Sequence, residues 1–190
     1  MIIKKSGSEL DAMRRAGRIV AETLQVLRAA VRPGITTKQL DEISEREIRA
    51  RGARPSFKGY RGFPATLCTS INNEIVHGIP GGATLREGDL IKLDCGAIFD
   101  GFHGDSAITV PVGEVDEAKR KLVETTERAL WAGIGEARPG NKVGDIGSAV
   151  QTIAEGAGFS IVREYVGHGV GRALHEDPPI PNYGQPGRGL

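Results

Sequence analysis

Two aspartates, Asp94 and Asp105, stand on either side of a strong hairpin signal, Asp100-Gly101. With a two-residue turn, Asp105 is opposite Gly96, and Asp94 lies two residues from Gly96 along the same strand. Because side chains alternate along a strand, both carboxylates are predicted to project from one face as diagonal neighbours, with backbones roughly 7–8 Å apart. Two inward carboxylates repel each other unless cations lie between them, so the pair indicates a dimetal site.

Two other interpretations of the aspartate pair stay open on the hairpin pattern alone. The polar face of the hairpin could be solvated, and a one-residue bulge would move one aspartate to the opposite face. The histidines favour the metal site. Three of the four, His77, His168 and His175, lie in loop sequence rich in glycine or proline, where neutral imidazole is accessible to a metal or a substrate.

Four motifs of the chain resemble those of type I methionine aminopeptidases. The run Tyr60–Pro80 resembles the substrate-side signature of that family, and Leu93–Asp105 resembles its metal hairpin. Tyr165–Arg172 and His175–Pro178 match the third and fourth motifs in spacing and order. The resemblance extends over essentially the whole chain, including the N-terminal helices, and is far more specific than a lone metal-binding pattern.

The resemblance implies an α+β pita-bread fold, in which two pseudo-symmetric helix–helix–strand halves surround a central antiparallel sheet and a dimetal centre. It implies that Asp94 chelates one metal, Asp105 bridges both, and His168 binds the other. His103 matches no ligand position and is expected to be structural, although the hairpin register gives it the same direction as Asp105. Oxygen-rich ligation with one imidazole allows two divalent ions of cobalt, manganese, iron or zinc.

The same resemblance assigns two catalytic histidines. His77 is expected to contact the substrate near its amino end and the scissile peptide. His175 is expected to stabilise the tetrahedral intermediate as a hydrogen-bond donor. The nucleophile implied is a metal-bridging water that is acidic enough to supply hydroxide near neutral pH.

A methionine pocket is the third implication of the resemblance. Tyr60, Phe63 and Cys68 match the positions that line it, and aromatic rings and a soft sulfur suit a flexible thioether. Together with His77 and His175 they make up the expected substrate-binding set. Leu174 departs from the pattern, because family members often have an aromatic residue at this position. We expect this departure to affect the selectivity for methionine more than the chemistry.

These residues together predict a cytoplasmic metalloaminopeptidase that removes the initiator methionine from nascent peptides with a small second residue. Nascent polypeptides and the ribosome are the expected partners, without sequence-specific nucleic acid binding or a membrane. The family completes its site with two glutamates on later strands, which residues 1–190 do not include, so we expect little activity from this chain alone. The alternatives are a proline-directed pita-bread peptidase and a non-catalytic module that binds peptides or proteins.

Composition agrees with this prediction and adds little specificity. The 190 residues are 39% hydrophobic and carry 25 basic against 24 acidic side chains, a net charge of +1 that gives no reason to expect a polyanion or a membrane as partner. No run resembles a signal peptide or a membrane span. Cys68 and Cys95 show neither metal-finger spacing nor a disulfide framework, which favours reduced thiols and the cytoplasm.

Hydrophobic periodicity and turn residues predict four helices and four main strands. A capping box, Thr36-x-x-Gln39, begins the second helix, and Gly52 ends it. The other helices are expected at Ser8–Val31, Asp116–Ala137 and Gly144–Ala157, and the strands at Ala65–Ser70, Leu90–Phe99, Phe102–Val110 and Ile161–Val166.

An internal repeat connects the two halves of the chain. Pro33-Gly34 and Pro139-Gly140 are 106 residues apart, and so are Gly52 and Gly158. Agreement across helix, turn and cap predicts two copies of one helix–helix–strand unit, and two helical hairpins with similar loops are the weaker explanation. We therefore expect a single pita-bread domain over residues 1–190 that lacks its C-terminal strands, with the second hairpin due at roughly residues 196–216.

Overall fold

The computed structural model describes residues 2–190, whose contacts define two compact units. The first, here called the hairpin unit, contains Ile3–Asp116 and Val170–Leu174. The second, here called the C-terminal unit, contains Glu117–Gly169 and His175–Leu190. The expected single domain over residues 1–190 stays a prediction. None of the helices in residues 2–190 has the length and apolar character needed to cross a bilayer.

Two helices open the hairpin unit, α1 (Gly7–Ala30) and α2 (Thr37–Ala50). Both begin with a capping box, in which the N-cap side chain and the side chain three residues later satisfy each other's backbone N–H groups. The box at Thr36 and Gln39 is the one predicted from the sequence, so this helix start is confirmed.

An antiparallel sheet follows the helices, and its central strand pairs with all the others. The strands are β1 (Arg54–Pro55), β2 (Leu67–Ile71), β3 (Leu90–Phe99) and β4 (Phe102–Pro111), with β3 paired to β1, β2 and β4. A 3-10 turn at Tyr60–Gly62 precedes β2. The apolar side of both helices covers the sheet, and the fully buried side chains of this core include Ile19, Leu27, Leu40, Ile48, Leu67, Ile91 and Leu93.

The C-terminal unit contains a second helix pair and a small sheet. Its elements are α3 (Glu117–Glu136), α4 (Val143–Gly156), β5 (Gly167–Gly169) and β6 (Glu176–Ile180), with β5 and β6 antiparallel. The strand predicted at Ile161–Val166 is wrong, because within residues 2–190 this segment pairs with no strand. Its apolar residues favour a strand locally, but without a partner they stay partly exposed, and pairing begins only at Gly167.

The internal repeat is confirmed by the helices themselves. α2 and α4 both have 14 residues, and their limits differ by the predicted 106 positions. Each helix pair has a left-handed glycine in its connection, Gly34 (φ 90°) and Gly140 (φ 94°). Each pair also ends at one, Gly52 (φ 75°) and Gly158 (φ 90°), where a residue with a side chain would be strained.

Candidate functional site

Asp94 and Asp105 project from one face of the β3–β4 hairpin, as the register predicts. Asp105 is opposite Gly96 and Phe99 is opposite Phe102, without a bulge between them. The two carboxyl groups are close enough to hydrogen-bond each other. Burial, and after it the negative charge of Asp105, raises the pKa of Asp94 to about 7. The hairpin therefore holds two carboxyl groups that cannot both ionise freely without a compensating charge.

This pair fits part of a divalent metal site. Two carboxylates converging from adjacent strands provide the hard oxygen donors that divalent metals accept, and a bound cation would remove their mutual repulsion. In the described part of the chain, residues 2–190, no three His, Cys, Asp or Glu side chains cluster closely enough to make a complete site. The hairpin alone thus supplies two donor groups rather than a full coordination shell.

Beside the aspartates lies an apolar cluster that contains the three predicted pocket residues. Cys68 packs with Phe57 and Leu174, and Tyr60 and Phe63 pack against this group. Cys68 is also opposite Asp94 in the β2–β3 ladder. Burial first, and the charge of Asp94 next, raises the pKa of the Cys68 thiol to about 12. Cys68 is therefore a neutral, apolar sulfur at physiological pH rather than a nucleophile.

Phe57 is a member of this cluster that the sequence interpretation missed. No residue near Phe57 in the sequence indicates this role, and the contact appears only in the structure, where a Cβ on Gly96 would lie 2.7 Å from Phe57 Cε1. A side chain at residue 96 would therefore displace the ring. Gly96 thus connects the two features, since it faces Asp105 in the hairpin and leaves room for the aromatic wall of the pocket.

His77 and His103 differ in their settings within the hairpin unit. His77 has a left-handed backbone (φ 61°), which is uncommon outside glycine and occurs often at functional sites. His103 is buried, its Nδ1 lies 2.9 Å from Ser56 Oγ, and its backbone N–H donates to the Gly171 carbonyl at 2.8 Å. These contacts hold His103 in the core, and its structural role stays a prediction.

The C-terminal unit brings the other two histidines together. The β5–β6 ladder places the rings of His168 and His175 with centroids 4.1 Å apart and planes inclined by 32°. His168 Nδ1 lies 3.0 Å from the Gly169 carbonyl oxygen, which can only accept a hydrogen bond. Nδ1 therefore carries a proton, and in the neutral tautomer this leaves the Nε2 lone pair available to a metal.

Comparison with known proteins identifies the family. The model of metallopeptidase family M24 matches residues 11–189. Methionine aminopeptidase 1 of Bacillus subtilis is 54% identical over 189 residues, which cover 100% of this chain and 76% of the relative. The chain belongs to the methionine aminopeptidases of metallopeptidase family M24. The metallopeptidase fold and the hydrolase class predicted from the motifs are both confirmed.

Solved structures agree with this membership of the methionine aminopeptidases. The chain resembles the methionine aminopeptidase of Thermotoga maritima with a TM-score of 0.98 and 42% identity, covering 100% of this chain and 77% of that one. The prolidase of Pyrococcus furiosus gives a TM-score of 0.82 at 22% identity, covering 95% and 52%, which shows a shared fold alone. The pita-bread fold is therefore confirmed, and the proline-directed alternative is not favoured. As a family M24 metallopeptidase, the enzyme depends on divalent metal ions.

Proposed function

We propose that this methionine aminopeptidase removes the initiator methionine from nascent peptides whose second residue is small, with two divalent metal ions at its centre. The observation that carries the proposal is the position of the Cys68 cluster directly beside the Asp94–Asp105 pair. An apolar pocket for one side chain next to a metal-binding carboxylate pair is what cleavage after a single apolar residue requires.

The metal ligands in this proposal are Asp94, Asp105 and His168. Asp94 and Asp105 would both hold the ions, which is supported by their convergence on one face of the hairpin, and in this proposal Asp105 is the ligand that the two ions share. His168 would hold the other ion through Nε2, which is supported by the hydrogen bond between Nδ1 and the Gly169 carbonyl. When bound, the ions supply an activated water and polarise the scissile carbonyl. The donor set is compatible with cobalt, manganese, iron or zinc.

The methionine side chain binds in the cluster of Tyr60, Phe63 and Cys68. Phe57 and Leu174 complete its walls, because both pack directly with Cys68. Aromatic faces and a neutral thiol make favourable contacts with a thioether, while apolar surroundings disfavour the burial of a charged side chain. This pocket therefore selects methionine as the first residue of the substrate.

His77 and His175 act on the substrate rather than on the metals. His77 contacts the substrate near its amino end, a role supported by the strained backbone that fixes its position. His175 donates a hydrogen bond to the oxygen on which negative charge develops. Its support is the ring contact with His168, a proposed metal ligand.

Newly synthesised chains are the substrates that carry an initiator methionine. We therefore place the enzyme in the cytoplasm, with the translating ribosome as its expected partner. The named relatives are methionine aminopeptidases, and an enzyme of that activity meets its substrates where chains emerge.

The activity is tested with peptides in a form of the protein that has the full length of its relatives. Purified enzyme with each candidate divalent metal is given Met-Ala-Ser, Met-Lys-Ser, Leu-Ala-Ser and Ala-Pro-Ser, and free amino acids are quantified. We expect release of methionine from Met-Ala-Ser, with Met-Lys-Ser and Leu-Ala-Ser spared. Equal cleavage of Leu-Ala-Ser and Met-Ala-Ser would contradict the methionine pocket, and preferential cleavage of Ala-Pro-Ser would favour a proline-directed peptidase.

A further inference from the structure

A buried hydrogen bond joins β4 to the segment that follows β1. His103 Nδ1 lies 2.9 Å from Ser56 Oγ, and both residues are buried, with exposed fractions of 9% and 5%. Loss of one partner from such a pair leaves the other polar group unsatisfied in the core, which is costly. Burial that is present in residues 2–190 can only increase in a longer chain, so we expect the same bond in the protein with the full length of its relatives.

Ser56 is held against the hairpin by its backbone as well. Its N–H donates to the Gly96 carbonyl at 2.9 Å, which continues the pairing of β1 with β3. A Cβ on Gly96 would lie 2.8 Å from Ser56 Cβ, so Ser56 lies directly against the strand. The backbone and the side chain of Ser56 therefore fix the point from which the next residue, Phe57, enters the Cys68 cluster.

The backbone of His103 holds a second wall of the same cluster. Its N–H donates to the Gly171 carbonyl at 2.8 Å, and the Gly171 N–H donates to the Ala173 carbonyl at 3.1 Å. This turn leads directly to Leu174, a buried member of the cluster. One residue of β4 is thus attached to both segments, to the one before Phe57 through its side chain and to the one before Leu174 through its backbone.

The strand that carries His103 is itself firmly held. A Cβ on the neighbouring Gly104 would lie 2.7 Å from the carbonyl carbon of Ala16, so β4 lies directly against α1 at this point. Another wall of the cluster, Cys68, is fixed separately by the ladder between β2 and β3. Phe57 is thus the wall whose position depends on the hydrogen bond between Ser56 and His103.

We propose that His103 is a positioning residue for the methionine pocket, because its ring holds Ser56 and thereby keeps Phe57 against Cys68. This inference rests on the proposed function, in which the Cys68 cluster binds the methionine side chain. His103 acts through Phe57 rather than by contact with the substrate. Loss of the hydrogen bond lets the Phe57 ring move, so the pocket binds methionine less well, while the reaction of the bound substrate changes little. The bond therefore contributes to selectivity for the first residue and not to the chemical step.

The test uses Ser56→Ala in the protein with the full length of its relatives, because this change removes one oxygen and leaves His103 in place. At a temperature well below unfolding, KM for Met-Ala-Ser should rise about tenfold with kcat nearly unchanged, and the preference for Met-Ala-Ser over Ala-Ala-Ser should fall by a similar factor. Ser44→Ala is the matched control, because Ser44 is also a buried serine and its Oγ lies 3.8 Å from Cys95 Sγ, in the core outside the cluster. It should lower thermal stability and retain the wild-type KM and preference.

Two substitutions of His103 keep the test decisive if Ser56→Ala does not fold. His103→Asn keeps a polar atom at the position of Nδ1 and should behave like the wild type. His103→Leu removes the hydrogen bond and should raise KM for Met-Ala-Ser as Ser56→Ala does. Rescue by Asn is not expected if His103 only fills space in the core.

The outcomes separate this inference from the proposed function. Absence of methionine release by the wild type would contradict the proposed function itself. If the wild type releases methionine selectively, an unchanged KM and preference in Ser56→Ala and His103→Leu would overturn only the positioning role of His103. An equal loss of preference in Ser44→Ala or in His103→Asn would also overturn it, because the effect would then not depend on the hydrogen bond between Ser56 and His103.

Discussion

Asp105 faces Gly96 across the β3–β4 hairpin, and this register brings its carboxyl group into hydrogen-bond contact with that of Asp94. The arrangement is costly without a cation, because burial and mutual repulsion both oppose ionisation. It becomes favourable when a divalent ion is shared. We therefore expect a divalent metal to stabilise the hairpin, and replacement of one of the two aspartates to remove this stabilisation.

Replacing Asp105 by Asn should stabilise the metal-free protein and remove its response to metal. In EDTA the variant loses one of two repelling carboxyl groups, a gain of about 1–2 kcal/mol, since one pKa unit corresponds to about 1.4 kcal/mol. With divalent metal added, the wild type should gain stability and the variant should not. Thermal unfolding in EDTA and in metal measures both effects. Asp100→Asn in the exposed turn is the control and should change neither, and a variant destabilised in EDTA would contradict the repulsion.

The pH dependence of this difference has a definite sign. The pKa of Asp94 in the folded chain is raised from 3.8 to about 7, so the folded state binds protons more readily than the unfolded one. The stability that this raised pKa contributes is fully present below about pH 3.8 and is lost as the pH rises through 7. The stabilising effect of Asp105→Asn in EDTA should therefore be larger at pH 8 than at pH 4.5. A larger effect at pH 4.5 would contradict this assignment.

The hairpin was predictable because its register depends on local chemistry. Asp100-Gly101 fixes a two-residue turn, and the alternation of side chains then places both aspartates on one face. The helix limits were similarly local, since capping residues and left-handed glycines mark them. These features require no knowledge of which distant segments meet.

Phe57 and the start of β5 were not predictable for the opposite reason. Phe57 joins the pocket through packing with Cys68 and Leu174, and nothing in its own neighbourhood indicates these partners. The apolar run at Ile161–Val166 has the residue types of a strand, but pairing with β6 begins at Gly167 and is interrupted by a shift between His168 and Gly169. Strand formation depends on an available partner as well as on propensity.

Replacing His175 by Ala should lower kcat and leave the metal content unchanged. In the proposed mechanism His175 donates to the developing oxyanion, and loss of one such donor costs about 10²–10³ in kcat. Metal analysis of the purified variant in the protein with the full length of its relatives, together with steady-state kinetics, separates the two roles. His103→Ala is the control, which should retain its metals while losing some thermal stability. Loss of metal from the His175 variant would show that His175 is a metal ligand instead.

Replacing Asp41 by Ala should destabilise the start of β2. Asp41 Oδ1 accepts hydrogen bonds from the N–H groups of Thr66 and Leu67, both at 2.8 Å, and both residues are buried. Removing the carboxylate leaves the two backbone N–H groups without this hydrogen-bond acceptor, which lowers the free energy of unfolding by about 2–4 kcal/mol in total. Asp41→Asn retains a carbonyl acceptor and should cost less. Urea unfolding measures the free energy of unfolding of both variants. Glu42→Ala, which changes an exposed neighbour on α2, is the control and should have almost no effect.

The same carboxyl group gives a second expectation about pH. Burial raises the pKa of Asp41, the two backbone hydrogen bonds oppose this shift, and the net direction is upward from 3.8. The stability due to this shift is complete below 3.8 and decreases as the pH rises through the folded-state pKa. The cost of Asp41→Ala should therefore be greater at pH 3.5 than at pH 7. An equal cost at both values would show that the folded and unfolded pKa values are the same.

Leu174 tests whether the apolar cluster selects methionine. Its side chain is almost completely buried against Phe57 and Cys68, so Leu174→Ala should open a cavity in the proposed pocket and destabilise the fold by about 2–5 kcal/mol. The wider pocket should hold methionine less well, lowering kcat/KM for Met-Ala-Ser by about tenfold. Ile48→Ala is the matched control, because Ile48 is equally buried in the α2 core but lies outside the cluster.

The ratio between substrates decides whether Leu174 acts on selectivity or only on stability. If the cluster is the methionine pocket, Leu174→Ala should lower the preference for Met-Ala-Ser over a peptide with a smaller first residue, Ala-Ala-Ser, at temperatures well below unfolding. Ile48→Ala should lower stability by a similar amount and leave that preference at the wild-type value, since its cavity touches no proposed substrate contact. Steady-state kinetics with both peptides provides the measurement. An unchanged preference in the Leu174 variant would place the methionine side chain elsewhere.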